Sequence, residues 1–108
     1  MQANEIQKRF QQIDQAVHQA AQACERFDNL PMDLKDSLQR LEQQTEKARD
    51  LMGKTQDENQ VRQCIDQLEG IGDQAKTACE RSQNVDTSVK DAVMQAHRQL
   101  SDLKHQLH

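Results

Sequence analysis

Apolar residues recur through positions 3–27 at alternating spacings of three and four. This spacing places one apolar stripe along an α-helix and predicts a single amphipathic helix. Asn4 or a neighbour is a candidate N-cap for this helix, while Asp28, Asn29 and Pro31 predict its end. The predicted inward positions are Ala3, Ile6, Phe10, Ile13, Val17, Ala20, Cys24 and Phe27.

The same spacing predicts three further helices. Pro31 is expected to begin the second helix and Gly53 to end it. Asp57 and Gln60 have capping-box spacing ahead of the third helix, and a fourth is expected from about Asp86 onward. The predicted inward positions are Leu34, Leu38, Leu41, Thr45, Ala48 and Met52, then Val61, Ile65, Leu68, Gly72, Ala75, Cys79 and Ser82, then Val89, Val93, Ala96, Leu100, Leu103 and Leu107.

The chain also repeats itself at an offset of 55 residues. ACERFDNLPMDLKD at 23–36 corresponds to ACERSQNVDTSVKD at 78–91, and aligning 1–53 with 56–108 gives twelve identities, most of them between Gln19 and Asp36. Asn29 and Asn84 hold equivalent positions in the predicted turns. A unit repeated once must cover its apolar face with its own copy or with another molecule. We therefore expect one domain of two repeats, 1–53 and 56–108.

Together these features predict an all-α protein, an antiparallel up-down-up-down four-helix bundle built from two duplicated helical hairpins. Four helices of similar length with short connections favour antiparallel neighbours. Side-chain sizes at equivalent inward positions are complementary, Val17 with Gly72 and Phe27 with Ser82, as a shared core requires. The alternative is an extended pair of hairpins that a second chain completes.

Composition narrows the classes of partner. Only 34% of the residues are hydrophobic and 2% aromatic, which predicts a thin aliphatic core. The net charge is -4, and the basic residues stand singly among carboxylates, so nucleic acid is not an expected partner. The sequence contains neither a membrane-spanning apolar run nor an N-terminal signal segment, which predicts no membrane association and a cytoplasmic location.

Three cysteines are the first candidates for chemistry. None has zinc-ligand or C-x-x-C spacing, which favours reduced thiols. Cys24 and Cys79 hold equivalent inward positions, where cysteine usually acts as a small apolar filler. The alternative is a redox pair or soft-metal site at this level of the bundle. Cys64 flanks the core stripe and is interpreted as an incidental thiol.

The histidines give no catalytic or metal pattern. Asp14 precedes His18 by four residues and Asp102 precedes His105 by three, which predicts surface contacts along one helical face. No inward Glu-x-x-His pair of the di-iron bundle type occurs. We therefore assign no catalytic residue, no cofactor, no cofactor-binding residue and no metal ligand from the sequence.

Other features concern packing and surface. Gly70 and Gly72 lie inside the third helix, which favours close approach of a neighbouring backbone or a local bend. The alternative is a shallow notch or a flexible point that a partner uses. Polar residues repeated around the two turns predict ion pairs across each turn, the alternative being two copies of a docking surface; they are Glu25, Arg26, Asn29, Lys35 and Asp36 with Glu80, Arg81, Asn84, Lys90 and Asp91. The candidate partner-binding residues are Met32, Leu51, Ile71 and Met94.

These observations favour a non-enzymatic helical protein–protein interaction module, an adaptor, regulator or small chaperone-like protein. Its expected partner is another protein or a second copy of itself, as in a homodimer. The competing hypothesis is a bundle that binds a small ligand or metal through Cys24 and Cys79. No resemblance to a particular family accompanies these patterns, and a four-helix architecture by itself implies no function.

Overall fold

The structure is a computed structural model and describes residues 3–27, 29–54, 57–82 and 85–107. These residues form four α-helices and no β-strand: α1 (Ala3–Glu25), α2 (Met32–Lys54), α3 (Glu58–Arg81) and α4 (Thr87–Leu107). Asp28 and Asn84, at the predicted turns, lie outside the described residues. Within the described part of the chain, no helix is both long and apolar enough to cross a bilayer.

Helix starts follow the local sequence with one exception. Asp57 caps α3 by accepting a hydrogen bond from the backbone N–H of Asn59 at 2.9 Å. Asp86 does the same for α4 through Ser88. The carbonyl of Pro31 accepts the first backbone bond of α2. Asn4 does not cap α1, because the helix already includes Ala3, and the neighbours that precede Ala3 lie outside the described residues.

Helix ends differ more from prediction. Gly53 does not end α2, which continues to Lys54, and no described glycine adopts a positive φ. A glycine in ordinary helical geometry does not provide the left-handed cap that ends many helices. The first helix ends at Glu25, a few residues before the predicted turn.

The helices pack around one core. Helix α1 contacts α2 and α4, and α3 contacts the same two helices, whereas among the described residues no backbone contact joins α1 to α3 or α2 to α4. The molecule measures 41 × 22 × 18 Å. Both helix pairs contribute to one core within this chain, so they do not stand apart, and an exchange of hairpins with a second chain stays a prediction.

The inward positions of α2 and α4 are confirmed as buried, as are most of those predicted in α1 and α3. The side chain of Ala3 is outside the described part. Phe27 and Ser82 are only partly buried, although Phe27 packs against the core, so their full burial is not confirmed and their pairing stays a prediction. Two residues between helices, Leu30 and Val85, are also buried, and they lie 55 positions apart.

The two glycines of α3 have different surroundings. A Cβ at Gly72 would lie 3.2 Å from Leu100 Cδ1 and 3.9 Å from His97 Cδ2, whereas a Cβ at Gly70 would meet nothing within 4 Å. The space at Gly72 is therefore filled from α4, and the predicted pairing with Val17 is wrong. Close packing explains Gly72 but not Gly70.

Candidate functional site

The thiols of Cys24 and Cys79 are buried, as predicted, with 6% and 0% of each residue exposed. Burial raises the pKa of both thiols, that of Cys79 from 9.0 to about 11. Nearby Lys90 opposes this shift and the Cys24 thiol adds to it. Both thiols therefore keep their protons at neutral pH, and only a thiolate is a strong nucleophile or metal ligand.

Cys64 lies at the edge of the core. It is partly buried, and burial raises the pKa of its thiol as well. Together with Leu51 it lines a cavity of about 200 Å³ between α2 and α3. This thiol has no charged partner that would activate it among the described residues, which agrees with its interpretation as incidental.

A polar cluster joins α1 to α2, and we name its residues Asp14, His18, Glu42 and Arg49 the α1–α2 cluster. Arg49 Nη1 lies 2.8 Å from Asp14 Oδ2. His18 Nδ1 lies 3.3 Å from Glu42 Oε2, and its other ring nitrogen, Nε2, lies 3.4 Å from Asp14 Oδ1. The predicted contact between Asp14 and His18 is thus confirmed, and the imidazole lies between two carboxylates.

A second polar cluster joins α3 to α4, and we name Glu69, Asp73, His97 and Lys104 the α3–α4 cluster. Lys104 Nζ lies 3.3 Å from Glu69 Oε2, and His97 Nε2 contacts Asp73 Oδ1. One ligand atom from each of Glu69, Asp73 and His97 lies within 4.8 Å of the others. The side chains of Glu69 and His97 are 15% and 16% exposed. Two carboxylates and an imidazole therefore converge on one point.

The two clusters occupy corresponding positions in the chain. Both ion-pair contacts between the described residues of α1 and α2 recur 55 residues later between α3 and α4: Asp14–Arg49 as Glu69–Lys104, and His18–Glu42 as Asp73–His97. In the contact between a histidine and a carboxylate, the two groups have exchanged helices. The imidazole belongs to the first helix of one pair and to the second helix of the other.

Sequence reasoning missed the α3–α4 cluster because its side chains come from two helices. Spacing rules compare residues within one helix, and His97 has no carboxylate at helical spacing that would mark it. The repeat offset is the signal that aligns Asp73 with His18, and His97 with Glu42. The predicted contact between Asp102 and His105 is absent from the ion pairs of the described residues.

An open groove of about 510 Å³ runs between α2 and α3. Most of its lining residues are polar or charged, and they carry both signs of charge. Within the described part of the chain, Arg40 and Arg81 form no ion pair. The lining residues are Asp33, Asp36, Ser37, Arg40, Asp73, Gln74, Thr77, Ala78 and Arg81.

The repeated polar set around the turns does not pair as predicted. No ion pair crosses either turn among the described residues, and Glu80 instead lies 3.9 Å from Lys76 of its own helix. Two members of the set, Asp36 and Arg81, line the α2–α3 groove. The repeated polar residues therefore supply charges to the surface, and those that the structure describes do not hold the turns through ion pairs.

The four candidate apolar residues do not form one patch. Met32 is 70% exposed, while Leu51, Ile71 and Met94 are partly buried. Met32 and Leu51 lie at opposite ends of α2, which separates them by about 28 Å at 1.5 Å per residue. Ile71 packs against the core. The polar groove is therefore a more continuous surface than any set of these residues.

Comparison of the chain with protein-family models, with curated proteins and with solved structures found no match.

Proposed function

We propose that this chain is a non-enzymatic interaction module, an adaptor, regulator or small chaperone-like protein, whose α2–α3 groove binds a polar segment of another protein. The observation that carries this proposal is the groove's open shape and charged lining. Small-molecule sites are usually enclosed and mostly apolar, with few polar groups. An open, charged groove between two helices is better suited to a protein segment.

Charge complementarity defines the expected occupant. Arg40 and Arg81 lie in the groove and form no ion pair with any other described residue, and Asp33 and Asp36 line it as well. A segment carrying both acidic and basic side chains would pair with these groups. Such charges mainly determine orientation and the rate of association, and they suppress wrong partners. The interface would accordingly weaken as salt rises.

The rigid framework for this groove is, in our proposal, an up-down-up-down bundle of two duplicated hairpins. The recurrence of both interhelical contacts at an offset of 55 residues supports duplication. Contacts that advance along α1 from Asp14 to His18 move back along α2 from Arg49 to Glu42, which supports an antiparallel pair. The burial of Leu30 and Val85, which lie 55 positions apart, further supports duplication.

The proposal includes a reducing, cytoplasmic location, supported by three free cysteines. The alternative, ligand or metal binding through Cys24 and Cys79, receives no support from thiols whose pKa is raised. A homodimer formed through the same groove is a competing outcome. Its test is the molar mass in solution.

Site-specific crosslinking tests the groove. A photoreactive amino acid replaces Gln74, which lines the groove, and in a matched control it replaces Gln22, which is exposed on α1. We expect the probe at position 74, and not at 22, to crosslink one defined protein in an extract of the source cells. The purified partner should then bind, and Arg40→Glu with Arg81→Glu should weaken that binding.

Two outcomes would contradict the proposal. Equal crosslinking from both positions would mean that the groove has no special role. Unchanged affinity after both charge reversals would remove the electrostatic basis. Crosslinks exclusively between two copies of this chain, with a dimer mass by light scattering, would replace the heterologous partner with self-association.

A further inference from the structure

We propose that Glu69, Asp73 and His97 form a binding site for one divalent transition-metal ion of the chemical class of Zn²⁺. Their three ligand atoms lie within 4.8 Å of one another. Zinc binds imidazole nitrogen and carboxylate oxygen at about 2.0–2.2 Å, which places the ligands of a single tetrahedral ion roughly 3.4 Å apart. Small side-chain rotations are enough to bring the three atoms to that spacing.

The donor set selects the class of metal. An imidazole with two carboxylates suits borderline ions such as Zn²⁺, whereas Ca²⁺ and Mg²⁺ favour sites made entirely of oxygen. The soft thiol ligands of this chain lie elsewhere, protonated and buried. Three protein ligands leave a coordination position for water, and Asp73, whose side chain is 56% exposed, provides the entry side.

Packing holds two of the ligands in place. Glu69 and Asp73 lie one helical turn apart on α3, so their side chains emerge from the same face. His97 approaches from α4, where Cδ2 of its ring lies next to the empty Cβ position of Gly72. Glu69 and His97 are mostly shielded from solvent. The ligands are therefore positioned before an ion arrives.

Lys104 opposes metal binding in this site. Its ammonium lies 3.3 Å from Glu69 Oε2 and competes for the same carboxylate. An ion bound at Glu69 would also be repelled by this charge. Removing the Lys104 charge should therefore tighten metal binding, while leaving all three ligands in place.

The α1–α2 cluster is a built-in control with the same kinds of side chain. Its two carboxylates face opposite nitrogens of His18, Asp14 at Nε2 and Glu42 at Nδ1. A single ion cannot lie on both sides of one ring. The metal proposal thus concerns the arrangement of the ligands and not their composition. Asp73 also lines the α2–α3 groove, but zinc binding is measured on the purified chain and requires no partner in that groove.

Titration of the reduced full chain with ZnCl₂, followed by calorimetry and in competition with a metal indicator, tests the site. We expect one Zn²⁺ per chain. Asp73→Asn and His97→Gln should each lower the affinity by about tenfold or more. Lys104→Gln should raise it. Two matched controls, His18→Gln in the first cluster and His105→Gln near the C-terminus, should bind as the unmodified chain does.

A Co²⁺ titration identifies the ligand atoms independently of affinity. Coordination by nitrogen and oxygen should give weak visible bands without the intense sulfur-to-metal band in the near ultraviolet. Circular dichroism and urea midpoints without metal show that each variant is folded. Glu69→Gln is the second ligand variant if either of the first two unfolds.

The proposal is overturned if the unmodified chain binds no zinc, or if Asp73→Asn and His97→Gln bind as tightly as it does. An equal loss on His18→Gln or His105→Gln would place the ion elsewhere. A sulfur-to-metal band would assign it to the thiols.

Discussion

Two ion-pair contacts join the helices of each pair at equivalent positions, yet the polar clusters of the two pairs differ in what they can bind. In the first pair His18 lies between Asp14 and Glu42, so each of its nitrogens already faces a carboxylate. In the second pair His97 lies at the side of two carboxylates that converge with it. In the first pair the histidine lies between two carboxylates. With the histidine and the acid exchanged, as in the second pair, three ligand atoms instead lie together at one point.

The same pairs differ in side-chain size at equivalent core positions, and one such position gives the largest expected effect. Leu38 is 2% exposed and its equivalent, Val93, is 1% exposed. Leu38→Ala should lower the free energy of unfolding by about 2–5 kcal/mol. Val93→Ala removes one carbon fewer and should cost less. Urea unfolding measures both. Exposed Gln39→Ala should change stability by less than about 0.5 kcal/mol, and an equal loss there would show that α2 is assigned the wrong inward face.

The thiols of Cys24 and Cys79 should contribute differently to the pH dependence of stability at alkaline pH. Because the folded-state pKa of Cys79 is raised from 9.0 to about 11, the folded chain keeps a proton that the unfolded chain releases. Its stabilising effect is fully present below pH 9.0 and is lost as pH rises to about 11, which amounts to about 2–3 kcal/mol.

Urea unfolding across this pH range tests the difference. Cys79→Ala should flatten the loss of stability, and Cys24→Ala should flatten it less, since the pKa of Cys24 is raised by a smaller shift. A loss in Cys79→Ala as steep as in the unmodified chain would mean that other groups control alkaline unfolding.

Exchanging roles in the first cluster tests the comparison directly. His18→Asp combined with Glu42→His reproduces in α1 and α2 the order of groups found in α3 and α4. We expect the double variant to gain a second zinc site with affinity at least about tenfold above the background, equivalent to about 1.4 kcal/mol. Calorimetry should then give two ions per chain. One ion per chain would show that the geometry of the second pair depends on more than the positions of these groups.

The glycines of α3 give the smallest effect. Gly70→Ala adds a side chain in open space and should stabilise the chain by about 0.5–1 kcal/mol. Gly72→Ala gains the same helix propensity but forces Leu100 to move, since the new Cβ lies 3.2 Å from it. Thermal melting should therefore rank Gly70→Ala above Gly72→Ala. The opposite order would mean that the Leu100 side chain moves aside at little energetic cost.

Much of the fold follows from the sequence because helical spacing reports on the helix that carries it. Positions such as Leu41 and Ile65 are buried as their spacing predicts. Residues outside helices give no such signal, so the burial of Leu30 and Val85 was not predictable in this way. Phe27 shows the converse, since its spacing continues the stripe beyond the last residue of α1, where the chain has already turned.

The candidate site was less predictable for a related reason. Contacts such as Asp73 with His97 depend on the register between two helices, and the periodicity of either helix alone does not determine it. The burial of the Cys24 and Cys79 thiols was easier to predict, because both residues lie on the apolar stripe of their own helix. The α2–α3 groove depends on how far α2 and α3 stand apart along their length, a quantity that side-chain volumes set jointly.

The different burial of the three thiols allows local opening of the structure to be measured by thiol labelling. Cys64 lies at the edge of the core and Cys24 lines a surface cavity between α1 and α2, whereas Cys79 is fully buried and becomes accessible to an alkylating reagent only when that end of the molecule transiently opens. Labelling rates under native conditions would convert into local opening free energies, as hydrogen exchange does for backbone amides. Matching rates at Cys24 and Cys79 would show the two halves loosening as one cooperative unit, and unequal rates would reveal which half separates first.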